Sequence, residues 1–225
     1  MDTRHLNINN ITLQFGDNSH PIKVLDDSET FGILKISTKD IIHSSDLPVH
    51  ILYMIDCSGS MSDICKDRKT KIEHIRFVLK NMITHFHSYP NKNISIKICA
   101  FDHEIHDIIE HTKITDENLN TIIDAVDKIN PRGLTNFELA LKTSSVYLAD
   151  YVNTHPGDQV SQIFMSDGDI TEGSGHMETL ASLMNASHNN IFVGYGQDHN
   201  SHIMFGLGSH PGNDYKFIDV VERAG

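Results

Sequence analysis

The sequence predicts an α/β fold: a doubly wound, mostly parallel sheet with helices on both faces, preceded by a small N-terminal β extension. Three observations carry this expectation. An almost unbroken apolar run, Val49-His-Ile-Leu-Tyr-Met-Ile55, has the pattern of a strand buried on both faces of a parallel sheet. Beyond it, strand-like and helix-like segments alternate to about residue 218, as happens when helices cross over between parallel strands. With 225 residues, the chain is long enough for one large domain with a sizeable core.

Residues 1–48 carry turn signals at Gly16-Asp17-Asn18, Asp26-Asp27-Ser28 and Ser44-Ser45-Asp46. Between them, Ile11–Phe15 and Phe31–Ser37 read as short strands, expected to pair with each other outside the main sheet. Domain boundaries follow: an extension over 1–48 and a main domain over 49–225. In the main domain, Ile72, Ile75, Val78, Leu79, Met82, Ile83 and Phe86 recur at helical spacing, which predicts an amphipathic helix over 68–88. Residues 93–101 alternate with period two, as a strand does, and 106–110 read as a short antiparallel strand after a turn. Helices are expected over 116–129, closed by Asn130-Pro131, and over 136–152, broken by His155-Pro156-Gly157. A strand at 161–166, a helix at 176–187, a strand at 190–195, a short helix near 201–205 and a strand at 215–218 complete the series.

Composition narrows the function. With 18 basic and 30 acidic side chains the net charge is −12, which argues against nonspecific binding to a nucleic-acid backbone. No apolar run reaches the length of about 18 residues that a membrane helix needs. The polar first 30 residues lack the apolar stretch of a secretory signal. Three cysteines, Cys57, Cys65 and Cys99, form no paired framework, so an intracellular, reducing location is expected. The 16 histidines are scattered; His85/His87 and His103/His106 are the close pairs, with no further ligand at zinc-like spacing.

In a doubly wound sheet, ligands bind beyond the carboxyl ends of the strands where strand order reverses. Three oxygen-rich loops fall in such positions: Asp56-Cys57-Ser58-Gly59-Ser60, Gly133-Leu134-Thr135-Asn136, and Ser166-Asp167-Gly168-Asp169. Each alone has an ordinary reading, with Thr135 as a helix N-cap and Asp167-Gly168 as a turn dipeptide. Together they offer two carboxylates and three hydroxyls, hard oxygen donors that suit Mg²⁺ or Mn²⁺ better than Zn²⁺. Asp56, Ser58 and Ser60 sit at alternate positions in a turn that Gly59 lets fold tightly. Cys57, between them, is expected to point into the core.

These residues resemble the von Willebrand factor type A domain. The metal-ion-dependent adhesion site of that family has the pattern D-x-S-x-S, then Thr, then Asp, matched here by Asp56, Ser58, Ser60, Thr135 and Asp167. Met54–Met61 and Met165–Gly168 are close to the family's usual wording, and the resemblance spans about residues 49–219. It implies that the two serines and the threonine ligate the ion directly, that the aspartates act through water, and that the last position takes a carboxylate from a partner. Asp169 falls outside the pattern and reads as an outer or solvated residue, while Asn136 and Gly168 shape their loops.

A divalent-metal-dependent protein-binding module follows, with a partner presenting Asp or Glu, no nucleic acid and no membrane insertion. The alternative is a metal-dependent phosphoester or peptide hydrolase at the same site. Only Asp169 and His176 stand near as spare bases, so the non-enzyme reading leads. No P-loop, no GxSxG elbow and no dinucleotide fingerprint occurs. The end of the chain, Tyr215–Gly225, reads as an amphipathic helix in mid-course. That fits either a piece of a longer protein or a natural frayed terminus.

Overall fold

The structure, a computed structural model, describes residues 5–8, 11–14, 47–89, 93–184, 188–196 and 200–218. Two compact units divide the chain, residues 1–44 and 45–225. In the first, β1 (His5–Ile8) pairs antiparallel with β2 (Ile11–Gln14), His5 opposite Gln14 and Ile8 opposite Ile11. The sequence also predicts that 11–15 pair with 31–37. Residues 31–37 themselves lie outside the described residues.

The second unit is built on six strands: β3 (Val49–Asp56), β4 (Ile94–Phe101), β5 (Ile105–Lys113), β6 (Gln159–Ser166), β7 (Asn189–Tyr195) and β8 (Asn213–Ile218). Their spatial order is β5-β4-β3-β6-β7-β8, all parallel except the β4–β5 hairpin at one edge. The chain leaves β3 for β4 on one side and returns to β6 on the other, so strand order reverses at the β3–β6 boundary. Ile55 pairs with Met165 there, and the next residues, Asp56 and Ser166, emerge side by side. The expected fold class is the one observed.

Period-two alternation in β3 splits the core between the faces. Ile51, Tyr53 and Ile55 pack with Ile72, Ile75, Leu79 and Ile83 of α1 (Lys71–Ser88) and with Ile122 and Val126 of α2 (Leu119–Val126). Leu52 and Met54 pack on the other side with Phe137, Ala140, Leu141 and Leu148 of α3 (Phe137–Thr154). Leu180 of α4 (Met177–Ser182) and Ile203, Met204 and Leu207 of α5 (Ser201–Gly208) extend that layer. Each fully buried aliphatic side chain contributes about 1.5–3 kcal/mol, which is why a strand buried on both faces anchors the sheet. Helix α1 starts at a reciprocal cap: Glu73 N donates to Thr70 Oγ1, and Thr70 N donates to the Glu73 carboxylate.

Some element ends differ from expectation. The antiparallel strand runs over 105–113 rather than 106–110, because it pairs along most of β4. Helix α2 begins only at Leu119, since Asn118 Oδ1 accepts the amide of Thr115 and holds a turn before it. Helix α4 stops at Ser182, five residues short. Tyr215–Ile218 belongs to β8, paired with β7; the expected terminal helix falls on 219–225, outside the described residues.

At the end of the sheet where the strand β3 begins, His50 is fully buried. Its ring stacks on Tyr151 at 3.8 Å and meets His111 edge-on at 5.1 Å. Nδ1 lies 2.9 Å from Ser95 Oγ and Nε2 3.1 Å from Tyr147 OH. Burial, reinforced by His111, His155 and Lys97, drives its pKa down to about 3. A folded pKa below the unfolded value means the unfolded chain takes up the proton first. His50 therefore leaves stability intact above the unfolded pKa of about 6.5 and removes it as pH falls toward 3. Urea unfolding between pH 6 and 4 should show wild type losing about 1.4 kcal/mol per pH unit more than a His50→Gln variant. Equal slopes for the two proteins would show that His50 binds its proton equally in the folded and unfolded states, against this reading.

Candidate metal centre

The first loop turns sharply at the end of β3. Asp56 Oδ1 accepts the amide of Ser58 at 2.8 Å, which folds the chain back over the carboxylate. A single 3-10 turn over Gly59–Ser62 follows. The turn brings Ser58 Oγ and Ser60 Oγ to 3.2 Å. Adjacent ligands on an octahedron with metal–oxygen bonds near 2.1 Å stand about 3.0 Å apart, so the two hydroxyls are spaced to share one ion. Cys57 is buried among Ile51, Tyr53 and Ile55, facing the core as the alternation predicts.

The second loop is joined to the first by backbone bonds. Arg132 N donates to Cys57 O at 2.7 Å, and Gly59 N to Gly133 O at 3.2 Å. Thr135 is buried and is not the cap of α3; Asn136 is, accepting Leu139 N at 2.9 Å. The ordinary reading of Thr135 as an N-cap is thereby removed. Thr135 O accepts the amides of Thr171 and Glu172, tying this loop to the one after β6. In that third loop Gly168 takes φ +82°, and a Cβ there would stand 2.8 Å from Asn200 O, so only glycine fits. Asn200 N in turn donates to Asp167 O at 2.7 Å. Asp169 is exposed, its amide 3.4 Å from Asp167 Oδ1.

Asp56 and Asp167 are both fully buried. Burial, and then the neighbouring Asp167 carboxylate, push the Asp56 pKa up to about 7 against the hydrogen bonds from Ser166 and Ser58. Two like charges taken out of water repel each other and call for a cation. The donor set is all oxygen, and among Asp56, Ser58, Ser60, Thr135 and Asp167 there is no nitrogen or sulfur. These residues fit a small hard divalent cation, with the serine hydroxyl spacing as the direct geometric match.

Two residues of the centre escape motif reading. Ser166 Oγ donates to Asp56 Oδ2 and accepts Gly168 N at 2.9 Å, locking the two carboxylate loops together. Lys71, the first residue of α1, places Nζ 3.0 Å from Asp167 Oδ2 and 3.5 Å from Asp63 Oδ2. A signal for Lys71 did exist: lysine at a helix N-terminus opposes the macrodipole and needs a local reason.

A neighbouring cluster supports the second loop. Cys57, Asp102 and His106 bring ligand-type atoms within 4.8 Å of one another. Asp102, just beyond β4, is already held by Glu104 N at 2.7 Å, Arg132 Nε at 3.0 Å and His106 Nε2 at 3.2 Å. Burial raises its pKa, but the Glu104 amide and the two flanking histidines outweigh that and hold it below the usual carboxylate range. Burial also pushes the Cys57 thiol up to about 12. With a guanidinium on the carboxylate and a neutral thiol, this cluster works as a clamp. Asp102 O accepts Asn136 N at 3.0 Å, so it positions the Thr135 loop from both sides.

Known proteins bear on this arrangement. The sequence matches the family model for the von Willebrand factor type A domain over residues 50–223. A search of curated protein sequences finds no match. Among solved structures, the SpRpn10 VWA domain superposes with a TM-score of 0.61 at 14% identity, covering 79% of this chain and 92% of that one. A von Willebrand factor type A protein from Catenulispora acidiphila gives 0.59 at 16% identity, covering 76% and 39%. Proximal thread matrix protein 1 from the mussel byssus, with a zinc-occupied MIDAS motif, gives 0.58 at 17% identity, covering 77% and 44%. This chain thus spans less than half the length of the latter two. At such identities the likeness shows the fold. The family match over most of the chain adds the lineage, and the chain belongs to the von Willebrand factor type A domain family.

Proposed function

We propose that this chain is a divalent-metal-dependent protein-binding module, in which Ser58, Ser60 and Thr135 hold Mg²⁺ or Mn²⁺ and a partner's Asp or Glu completes the coordination. Domains of this family are mostly interaction modules, commonly metal-dependent. The observation that carries the reading here is the pair of buried carboxylates, Asp56 and Asp167, at adjacent strand ends beside two serine hydroxyls 3.2 Å apart. When bound, the ion supplies a Lewis-acidic centre that attracts an incoming carboxylate. The chain's own residues do the rest. Asp56 and Asp167 balance the charge, Ser166 and Asp102 fix the loops, and Ser58, Ser60 and Thr135, being neutral, leave the centre attractive to an anion.

The hydrolase alternative gains no specific support. Asp169 and His176 are both exposed, whereas a general base would have to act at the buried carboxylates, Asp56 and Asp167. Among the described residues no helix is long and apolar enough to cross a membrane.

Metal binding is expected to stabilise the fold. Mg²⁺ at a hundred times its Kd should raise the unfolding free energy by about 2.7 kcal/mol, and the gain should vanish in Asp56→Ala. Thr135→Ala should cost at least the about tenfold in Mn²⁺ affinity that even an outer-shell partner is worth, with the urea midpoint in EDTA unchanged. Calorimetry reads both variants. A captured partner should leave the wild-type protein in EDTA and return with Mg²⁺. A partner whose affinity is the same in EDTA and with Asp56→Ala would defeat this reading.

A further inference from the structure

The Lys71 side chain is only 4% exposed, and its position runs against two preferences. An ammonium at a helix N-terminus faces the positive end of the macrodipole, and a buried charge loses its hydration. Its backbone leaves it little choice of place. Lys71 N donates to Asp63 O at 3.1 Å, Cys65 N donates to Lys69 O at 2.8 Å, and Ile64 bridges Thr70. These bonds fold 63–70 into a tight excursion that returns the start of α1 to the metal centre. The side chain then reaches a place where a buried cation is favoured, Asp167 Oδ2 at 3.0 Å, with Asp63 Oδ2 at 3.5 Å.

We propose that Lys71 is a tethered cation that competes with the divalent ion for Asp167, so that its ammonium moves toward Asp63 when the centre takes up metal. The inference rests on the metal-binding reading above and adds its regulation. With both carboxylates ionised, Asp56 and Asp167 together carry two negative charges. Lys71 supplies one positive charge and a divalent ion two, so the pair of carboxylates can balance the ion but not the ion together with an adjacent ammonium. Asp63 offers the displaced ammonium a solvated resting place, since its carboxylate is 59% exposed and lies in the loop directly after the serine ligands. An acidic partner side chain would add the missing negative charge. Metal and partner therefore bind with positive coupling, each more tightly in the presence of the other.

Mn²⁺ affinity, measured by calorimetry and by electron paramagnetic resonance, tests this on wild type, Lys71→Met and Lys71→Gln, with Asp56→Ala as the control for the site. Removing the ammonium should tighten Asp56-dependent Mn²⁺ binding by about tenfold or more. Equal or weaker binding by both lysine variants, against a wild type that binds, overturns the competition and leaves the metal-binding reading standing. No Asp56-dependent binding by any of the proteins sinks both. Should either lysine variant fail to unfold cooperatively in urea, the wild-type protein still decides. Saturating Mg²⁺ should shift the Lys71 Cε resonance, and an unmoved resonance at saturation overturns the proposal.

Discussion

Two carboxylates that cannot share the low-dielectric end of a sheet without a cation set the terms for this protein. Asp56 ends β3 and Asp167 follows β6, on neighbouring parallel strands, and both are out of water. Lost hydration, and then repulsion from Asp167, raise the Asp56 pKa to about 7. Hydrophobic packing of β3 on both faces meets that cost, and the same packing holds the strand ends rigid enough to keep the charges together. The loops are then arranged around one requirement, a place for positive charge.

The hydrogen bonds of the loops follow from that requirement. Ser166 bridges Asp56 to the Gly168 turn, and the backbone of Gly133 and Thr135 stitches the middle loop to its neighbours. Asp102, with Arg132, anchors this middle loop to the end of β4. A hydroxyl set within a few tenths of an ångström of octahedral spacing needs such support, because side chains on free loops would not stay converged. Lys71 answers the charge itself. It gives the centre a cation of its own, delivered by the first residue of a helix, one and two turns before the core residues Ile75 and Leu79.

The far end of the sheet has a different chemistry. His50, buried between Tyr147 and Tyr151 with His111 and Lys97 near, is held neutral. Its ring nitrogens are matched to hydroxyls, so the neutral form is satisfied and the charged form is penalised. One pole of the domain thus gathers two carboxylates around a cation and the other holds a histidine neutral, with the apolar double layer between them.

The sequence by itself determined the alternation of strands and helices, the buried run at Val49–Ile55 and the three oxygen-rich loops, because these are local signals of period, turn chemistry and side-chain type. It placed Asp56, Ser58, Ser60, Thr135 and Asp167 in loops at strand ends, and the structure sets those loops side by side. It did not determine that Asn136 rather than Thr135 caps α3, since adjacent polar residues compete for one role. Only the tertiary structure brought Lys71, 96 residues from Asp167 in sequence, into the centre, and only it buried His50 among aromatic rings. Those outcomes depend on desolvation and on what stands across the fold, and no periodicity along the chain records either.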